Sequence, residues 1–552
     1  MLRRPSDAHA IARVRLDRRA MLRLSTLGAL LAARARTART STPAATPEAH
    51  FPGSATAAYA LDLRLDAEAR TLSGTGSIAW RNTTGRGQDT LHLRLYPNAA
   101  YYGDAGVSLS TVTVDGRPAT AALRDGDPTV ASIPLGRTVA PGADVQIAFA
   151  FETVVPAGQA GSFGILRFDQ QRGSWALADW YPILAGWEPA RDAWYLDPPT
   201  PFGDPTFAET ATYTLALEIP SGLTLLSTGD LVSTATGHAG PDPSTIVRVE
   251  TGPVREFAMA LLPTSSDAEG DLLQVPAPVS GAPATPGATP DIDAGADPAV
   301  SVCLYTSEDI PGLADAILDA ATTALPRYRA LLGALPERAL TIASAHLAGA
   351  NGVSWPGMIW LDLSVLARKG VLDDQERPGL RFTVIHEVGH QWIGGLLGMN
   401  ANDHGFLLEG LTNALAIGVI RDVWGADAAI EAMGRFVAGP YSGLVRDGRD
   451  VIADQPLAGD TNVVLRALGV YGKAGLGFEA IRQEMGDTAW RAALGAFAGA
   501  FRNRIFTSND LRTALTAAAS SPDRVGELWT FWFERANAAL PDIDPVVQGA
   551  GR

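Results

Sequence analysis

HEVGHQW, residues 386–392, is the stretch on which the reading of this chain turns. His386 and His390 stand four positions apart, with Glu387 beside the first. The surrounding pattern predicts a helix over Arg381–Ile393, stopped at Gly394-Gly395. On a helix, positions i and i+4 share one face, about one turn apart, so both imidazoles can reach one ion. Neutral imidazole suits zinc. Glu387 falls at the edge of the same face, where it can reach a metal-held water without binding the metal. A catalytic zinc needs a third protein ligand and an open position. Glu409 opens the helical run LEGLTNALA, 19 positions after His390, and completes a His2Glu set. His404, in the polar stretch NANDHGF, is the other downstream candidate for the third ligand; its competing and favoured reading is a solvent-facing loop histidine. Histidine is scarce, 8 in 552 residues, so such a motif arises by chance in fewer than about one chain in a hundred.

The composition permits such an enzyme and excludes other classes. With 552 residues, 46% hydrophobic and 19% charged, the chain is long enough for two to four domains. Its net charge of −15 disfavours nucleic acid and anionic membrane surfaces. Cys303 is the one cysteine, so no internal disulfide forms. There is no Gly-rich phosphate or dinucleotide fingerprint in a strand–helix setting. No segment has the ~18 consecutive apolar residues of a membrane span.

Residues 1–39 carry Arg18-Arg19 and then an apolar run, Leu24–Ala33, which resembles a twin-arginine export signal, although Arg34, Arg36 and Arg39 interrupt the cleavage region. Residues 40–50, TSTPAATPEAH, read as a tether. Period-two alternation then recurs, at Leu61/Leu63/Leu65, Leu91/Leu93/Leu95, Val145–Phe151 and Tyr213–Ile219. It predicts half-buried antiparallel strands and an N-terminal β-sandwich or saddle-like domain over 51–305. Residues 264–298, rich in Pro, Ala, Gly, Ser and Thr, read as a disordered insertion in that domain. From 306 to 552 the period becomes helical, giving an α+β multidomain chain. The aromatics Trp180, Tyr181, Trp187, Trp194 and Tyr195 read as core and interface packing. Asp362, Asp373, Asp374 and Glu376 read as a solvated loop.

HEVGHQW followed by LEGLTNALA resembles the zinc aminopeptidase family that includes aminopeptidase N and leukotriene hydrolase. That family has HExxH, eighteen residues, then a glutamate. Val470-Tyr471-Gly472-Lys473 is similar to its YEKG segment, and the stretch from Leu177, LADWYPILAGWEPARDAWYL, to its β-domain. The resemblance covers most of residues 55–540. It implies a thermolysin-like catalytic domain and one zinc on His386, His390 and Glu409. It also implies a general base at Glu387, peptide substrates, and a Tyr471 hydroxyl that donates to the tetrahedral intermediate. Gly352, Val353 and Ser354 match the strand on which the family binds substrate. There Ser354 stands where the family carries the glutamate that grips a free α-amine, and a hydroxyl cannot offset an ammonium as a carboxylate can. The long helical C-terminal domain of larger members is not matched, and a more open cleft is expected. The leading expectation is a secreted zinc aminopeptidase. The alternatives are a zinc endopeptidase or an epoxide-type zinc hydrolase, favoured by Ser354, and a non-catalytic scaffold, disfavoured by the intact Glu387 and Tyr471. Lys473 reads either as a partner of Tyr471 or of a substrate carboxylate, or as a salt-bridged lysine.

Overall fold

The computed structural model describes residues 13–16, 55–158, 162–203, 206–238, 242–264, 270–275, 300–306, 310–367, 372–456 and 462–552. The expected tether, and the expected export signal apart from 13–16, lie outside these residues. Among the described residues no helix is long and apolar enough to cross a membrane.

The alternating leucines form strands as their period requires. Leu61, Leu63 and Leu65 lie buried on Ala57–Asp66, and their polar neighbours Asp62, Arg64 and Asp66 are exposed. This strand sits inside an eight-stranded sheet, antiparallel to Thr71–Arg81 and parallel to Ala211–Pro220. A four-stranded sheet that contains Gln88–Arg94 and Asp127–Val139 supplies Leu91, Leu93 and Ile133 to the same core. Among the described residues the pairing expected to be antiparallel is so, except at that contact, at an isolated parallel bridge between Ala157 and Phe168, and where Val300–Tyr305 runs parallel to Ala339–Ser344. Trp180 and Tyr181 are buried in this core, while Trp187 and Trp194 stack edge to face on a short hairpin.

The helical region wraps a separate six-stranded sheet. In order, its strands are Arg13–Leu16, Gly270–Val275, Val300–Tyr305, Ala339–Ser344, Met358–Leu361 and Gly352–Trp355. This corrects two expectations. Gly270–Val275, inside the expected insertion, pairs antiparallel with Val300–Tyr305. Its Asp-Leu-Leu-Gln-Val run can lie as a strand because a neighbouring strand supplies the hydrogen-bonding edge. The rest of 264–298, apart from Thr264, lies outside the described residues. Val300, Val302 and Leu304 pack into the helical core beneath Leu313–Leu332, so they belong with the helical region and not, as the boundary at 305 implied, with the β-domain. A small third core joins the two halves. In it Ile165, Ala176 and Ala258 meet Trp355, Met358 and Trp360. Polar clamps reinforce the joint: Asn400 donates to Glu188 (2.8 Å), and Arg191 pairs with Asp403. The outer strand of the six-stranded sheet, Gly352–Trp355, pairs on one side with Met358–Leu361 and borders the cavity described below.

Lys473 is fully buried. Its ammonium donates to Asp450 Oδ2 (2.8 Å), the Val451 carbonyl (2.7 Å) and the Arg535 carbonyl. It is therefore the salt-bridged lysine, turned away from the cavity. Removing one partner of a buried pair strands the other's charge, so Lys473→Ala is expected to destabilise the fold by about 3–5 kcal/mol. A denaturant midpoint unchanged from wild type would refute that.

Candidate metal centre and active site

The helix that carries the motif runs from Arg377 to Gly389, shorter at its end than the expected Ile393, with His390 at its C-cap. The next helix, Ala401–Trp424, is interrupted at His404, whose φ/ψ of −127°/49° breaks its first turn. Glu409 lies beyond that break, well inside the helix rather than at its start. The two helices cross so that three atoms converge. His386 Nε2 lies 2.9 Å from His390 Nε2, and Glu409 Oε2 lies 3.2 and 3.4 Å from them. Among the described residues this is the one group of three or more such side chains whose ligand atoms meet. His404 is not part of it: its Nδ1 lies 2.6 Å from Asp454 Oδ1.

The set fits a zinc ion on its own chemistry. Donors around a tetrahedral zinc stand roughly 3.3 Å apart, close to the spacing here. His390 Nδ1 faces the Ile393 carbonyl at 3.1 Å, and a proton on Nδ1 would leave the Nε2 lone pair toward the cluster. The surroundings also call for positive charge. Burial works against a charged His390, yet Glu409 raises its pKa to about 9. Burial would likewise raise Glu409, but His390 and His386 overcome it and hold the carboxyl well below its usual range. A largely buried carboxylate set between two imidazoles suits a cation.

Two further groups stand at the rim. Glu387 is buried, which raises its pKa; the two imidazoles and Ser354 oppose the shift only in part. Ser354 Oγ donates to Glu387 Oε2 (2.6 Å) and lies 3.0 Å from the Glu387 carbonyl. So Ser354 lies against the expected base. The strand can come this close because residue 352 is glycine: a Cβ there would lie 2.7 Å from Glu387 Oε1. The Tyr471 ring lies beside His386, centroids 6.3 Å apart, with its phenol near the Glu409 carboxylate. Burial first, then that carboxylate, push its phenol well above the usual range, so it keeps its proton. The Tyr471 carbonyl accepts from Asn413 Nδ2 (3.0 Å), and the residue rides on a π-helical segment, Leu468–Lys473, a geometry common at functional sites.

Loss of the Ser354 hydroxyl removes a hydrogen bond to a charged group. For the zinc-dependent peptide hydrolysis that the sequence resemblance implies, Ser354→Ala is therefore expected to lower kcat about tenfold, with zinc content unchanged. An unchanged kcat would show that Glu387 is positioned without it.

Sequence reasoning missed several supports. Gln391 accepts from Gly357 N (2.8 Å) and donates to the Trp355 carbonyl (3.1 Å), fastening the Gly352–Trp355 strand to the turn that follows the helix Arg377–Gly389. Trp392 Nε1 donates to the Gly333 carbonyl (2.8 Å), anchoring the helix end. Asp362 is not in a solvated loop. It is buried, caps the helix Leu363–Leu366 and accepts from Leu347 N (2.9 Å). Asp373 and Glu376 border the cavity. No periodicity marks these roles, because each partner lies far away in the chain.

The cluster opens into a cavity of about 860 Å³. Its lining includes Gly352, Val353, Ser354, Glu387 and Tyr471, with Phe163, Phe202 and Glu256 from the β-domain.

No family model matches the chain, and no curated protein matches it. Solved structures do. The M1 zinc metallopeptidase from Deinococcus radiodurans is 14% identical with a TM-score of 0.58, over 89% of this chain and 97% of that one. A variant of it bound to a Tyr-Ser-Ala substrate is 13% identical with the same TM-score, over 88% and 95%. A two-domain M1 zinc metallopeptidase variant bound to L-arginine is 13% identical with a TM-score of 0.58, over 89% and 96%. The chain shares their fold, β-rich sheets followed by a helical region.

Proposed function

We propose that this chain is a zinc-dependent metallopeptidase, hydrolysing peptide bonds as an aminopeptidase. The observation that carries the reading is the convergence of His386, His390 and Glu409 at one point, with Glu387 and Tyr471 beside it in one cavity. His386, His390 and Glu409 would hold the ion. Bound zinc supplies Lewis acidity toward a water and a carbonyl. Glu387 takes the proton from the attacking water and passes it to the leaving amine; burial, by raising its proton affinity, suits it to both acts. Tyr471, kept protonated, donates to the oxygen on which negative charge develops. The outer strand Gly352–Trp355 offers backbone groups to an extended peptide. That the fold's neighbours were solved with an amino acid and with a tripeptide supports peptides as substrates.

One observation favours a second reading, an endopeptidase. Ser354 is engaged by Glu387 and presents no carboxylate to a substrate's free amine. Free and N-acetylated peptides separate the two. The aminopeptidase reading expects cleavage of free peptides only, lost on chelation and restored by zinc. Cleavage of both forms alike favours the endopeptidase, and chelator-insensitive cleavage defeats both.

A further inference from the structure

We infer that the cavity wall beyond the cluster is a side-chain subsite, built to take a large aromatic residue flanking the bond that is cut. The reaction rests on the function proposed above; the binding does not. Phe382 precedes His386 by one helical turn and stacks on it, with centroids 6.2 Å apart and planes 29° apart. Phe436 stacks on Phe382 in turn, at 5.1 Å and 22°. Three rings thus form a continuous shelf leading from the candidate metal cluster. Both phenylalanines are only half-buried and line the cavity, with Leu366 and Leu380 in the same lining. Apolar faces left open in a concave site gain by covering, and a further ring added to a stack gains its offset contact as well.

The shelf is held in register with the reactive groups. Phe436 belongs to a π-helical segment, Met433–Ala438, and Tyr471 belongs to the other, Leu468–Lys473. They pack closely because residue 472 is glycine: a Cβ there would lie 2.8 Å from Tyr441 Cβ and 3.1 Å from the Val437 carbonyl. Gly379 leaves the space over the outer ring open, since a Cβ there would only touch Phe436 at 3.6 Å. At the outer end Arg435 lies 5.1 Å from the Phe436 centroid and donates to the Gln375 carbonyl (2.8 Å). That guanidinium already takes up the ring's attraction for a cation. The acids Asp373 and Glu376 also border the cavity, so a basic side chain is the competing ligand to test.

The test uses the full chain loaded with zinc and peptides differing only at the residue beside the cleaved bond: Ala, Leu, Phe, Trp or Arg. Wild type should cleave the Phe and Trp peptides at least about 10-fold more efficiently than the Ala peptide. Phe436→Ala and Gly379→Leu, which remove and cover the shelf, should each erase most of that gain and change the Ala peptide less than about 3-fold. Gly379→Leu fills a helical glycine without a left-handed backbone, so it separates loss of the subsite from loss of the fold. Equal cleavage of all peptides, a preference for Arg, or variants that slow every peptide alike overturns the inference. Calorimetric binding of tryptophan amide and alanine amide decides the subsite even if no peptide is cut. Tighter binding of the indole, lost in both variants, supports it, and equal or undetectable binding overturns it. Absence of all cleavage counts against the proposed function alone.

Discussion

Glu387→Gln is expected to lower kcat for peptide hydrolysis about 10²–10⁴-fold while the protein keeps its zinc. The amide has nearly the shape of the carboxylate and can still accept from Ser354, but it cannot carry the proton from water to leaving group. Glu387 is not among the three converging ligand atoms, so its loss should leave metal content at one per chain. The exchange also replaces a buried carboxylate, whose burial opposes its charge, with a neutral group. Thermal stability should therefore be unchanged or higher. Activity above a tenth of wild type, in protein whose zinc content has been measured, would remove Glu387 from the role of base and return the scaffold reading to contention.

Tyr471→Phe is expected to cost about 10²–10³-fold in kcat, with KM nearly constant. The hydroxyl's contribution lies in the transition state, where charge develops on the carbonyl oxygen; a ground-state carbonyl needs it far less. The ring stays in place because the backbone is held by Asn413 and by the π-helical turn. The phenol also lies near the Glu409 carboxylate, so a loss of zinc from the variant would move the effect from chemistry to metal retention. Metal analysis beside the kinetics distinguishes these, and a rise in KM with kcat intact would sink the assignment.

Some of this site could be read in advance and some could not. The i, i+4 histidines needed only helical geometry, and His386 and His390 do present their Nε2 atoms to one point. Glu409 could be named because its spacing leaves room for a returning helix, though its place beyond the break at His404 could not. His404 could not be dismissed on sequence grounds; its pairing with Asp454, 50 positions on, settles where it points. Ser354 was visible as a departure from a family pattern, yet not as a partner of Glu387. Phe382 lay one turn from His386 and was within reach of periodicity, whereas Phe436 entered the cavity through a π-helical turn that no apolar period foretells.

The strand alternation, the change to helical period after residue 306 and the paired histidines with their neighbouring acid were determined by the sequence by itself. Each is a repeat or spacing shorter than about two helical turns, where backbone geometry dictates which side chains share a face. Tertiary structure alone decided the strand at Gly270–Val275, the placing of Val300–Tyr305 with the helical core, the burial of Lys473 and the hold of Ser354 on Glu387. These depend on edges, cores and partners supplied from distant parts of the chain, and the free energy of such contacts exists only once those parts have met.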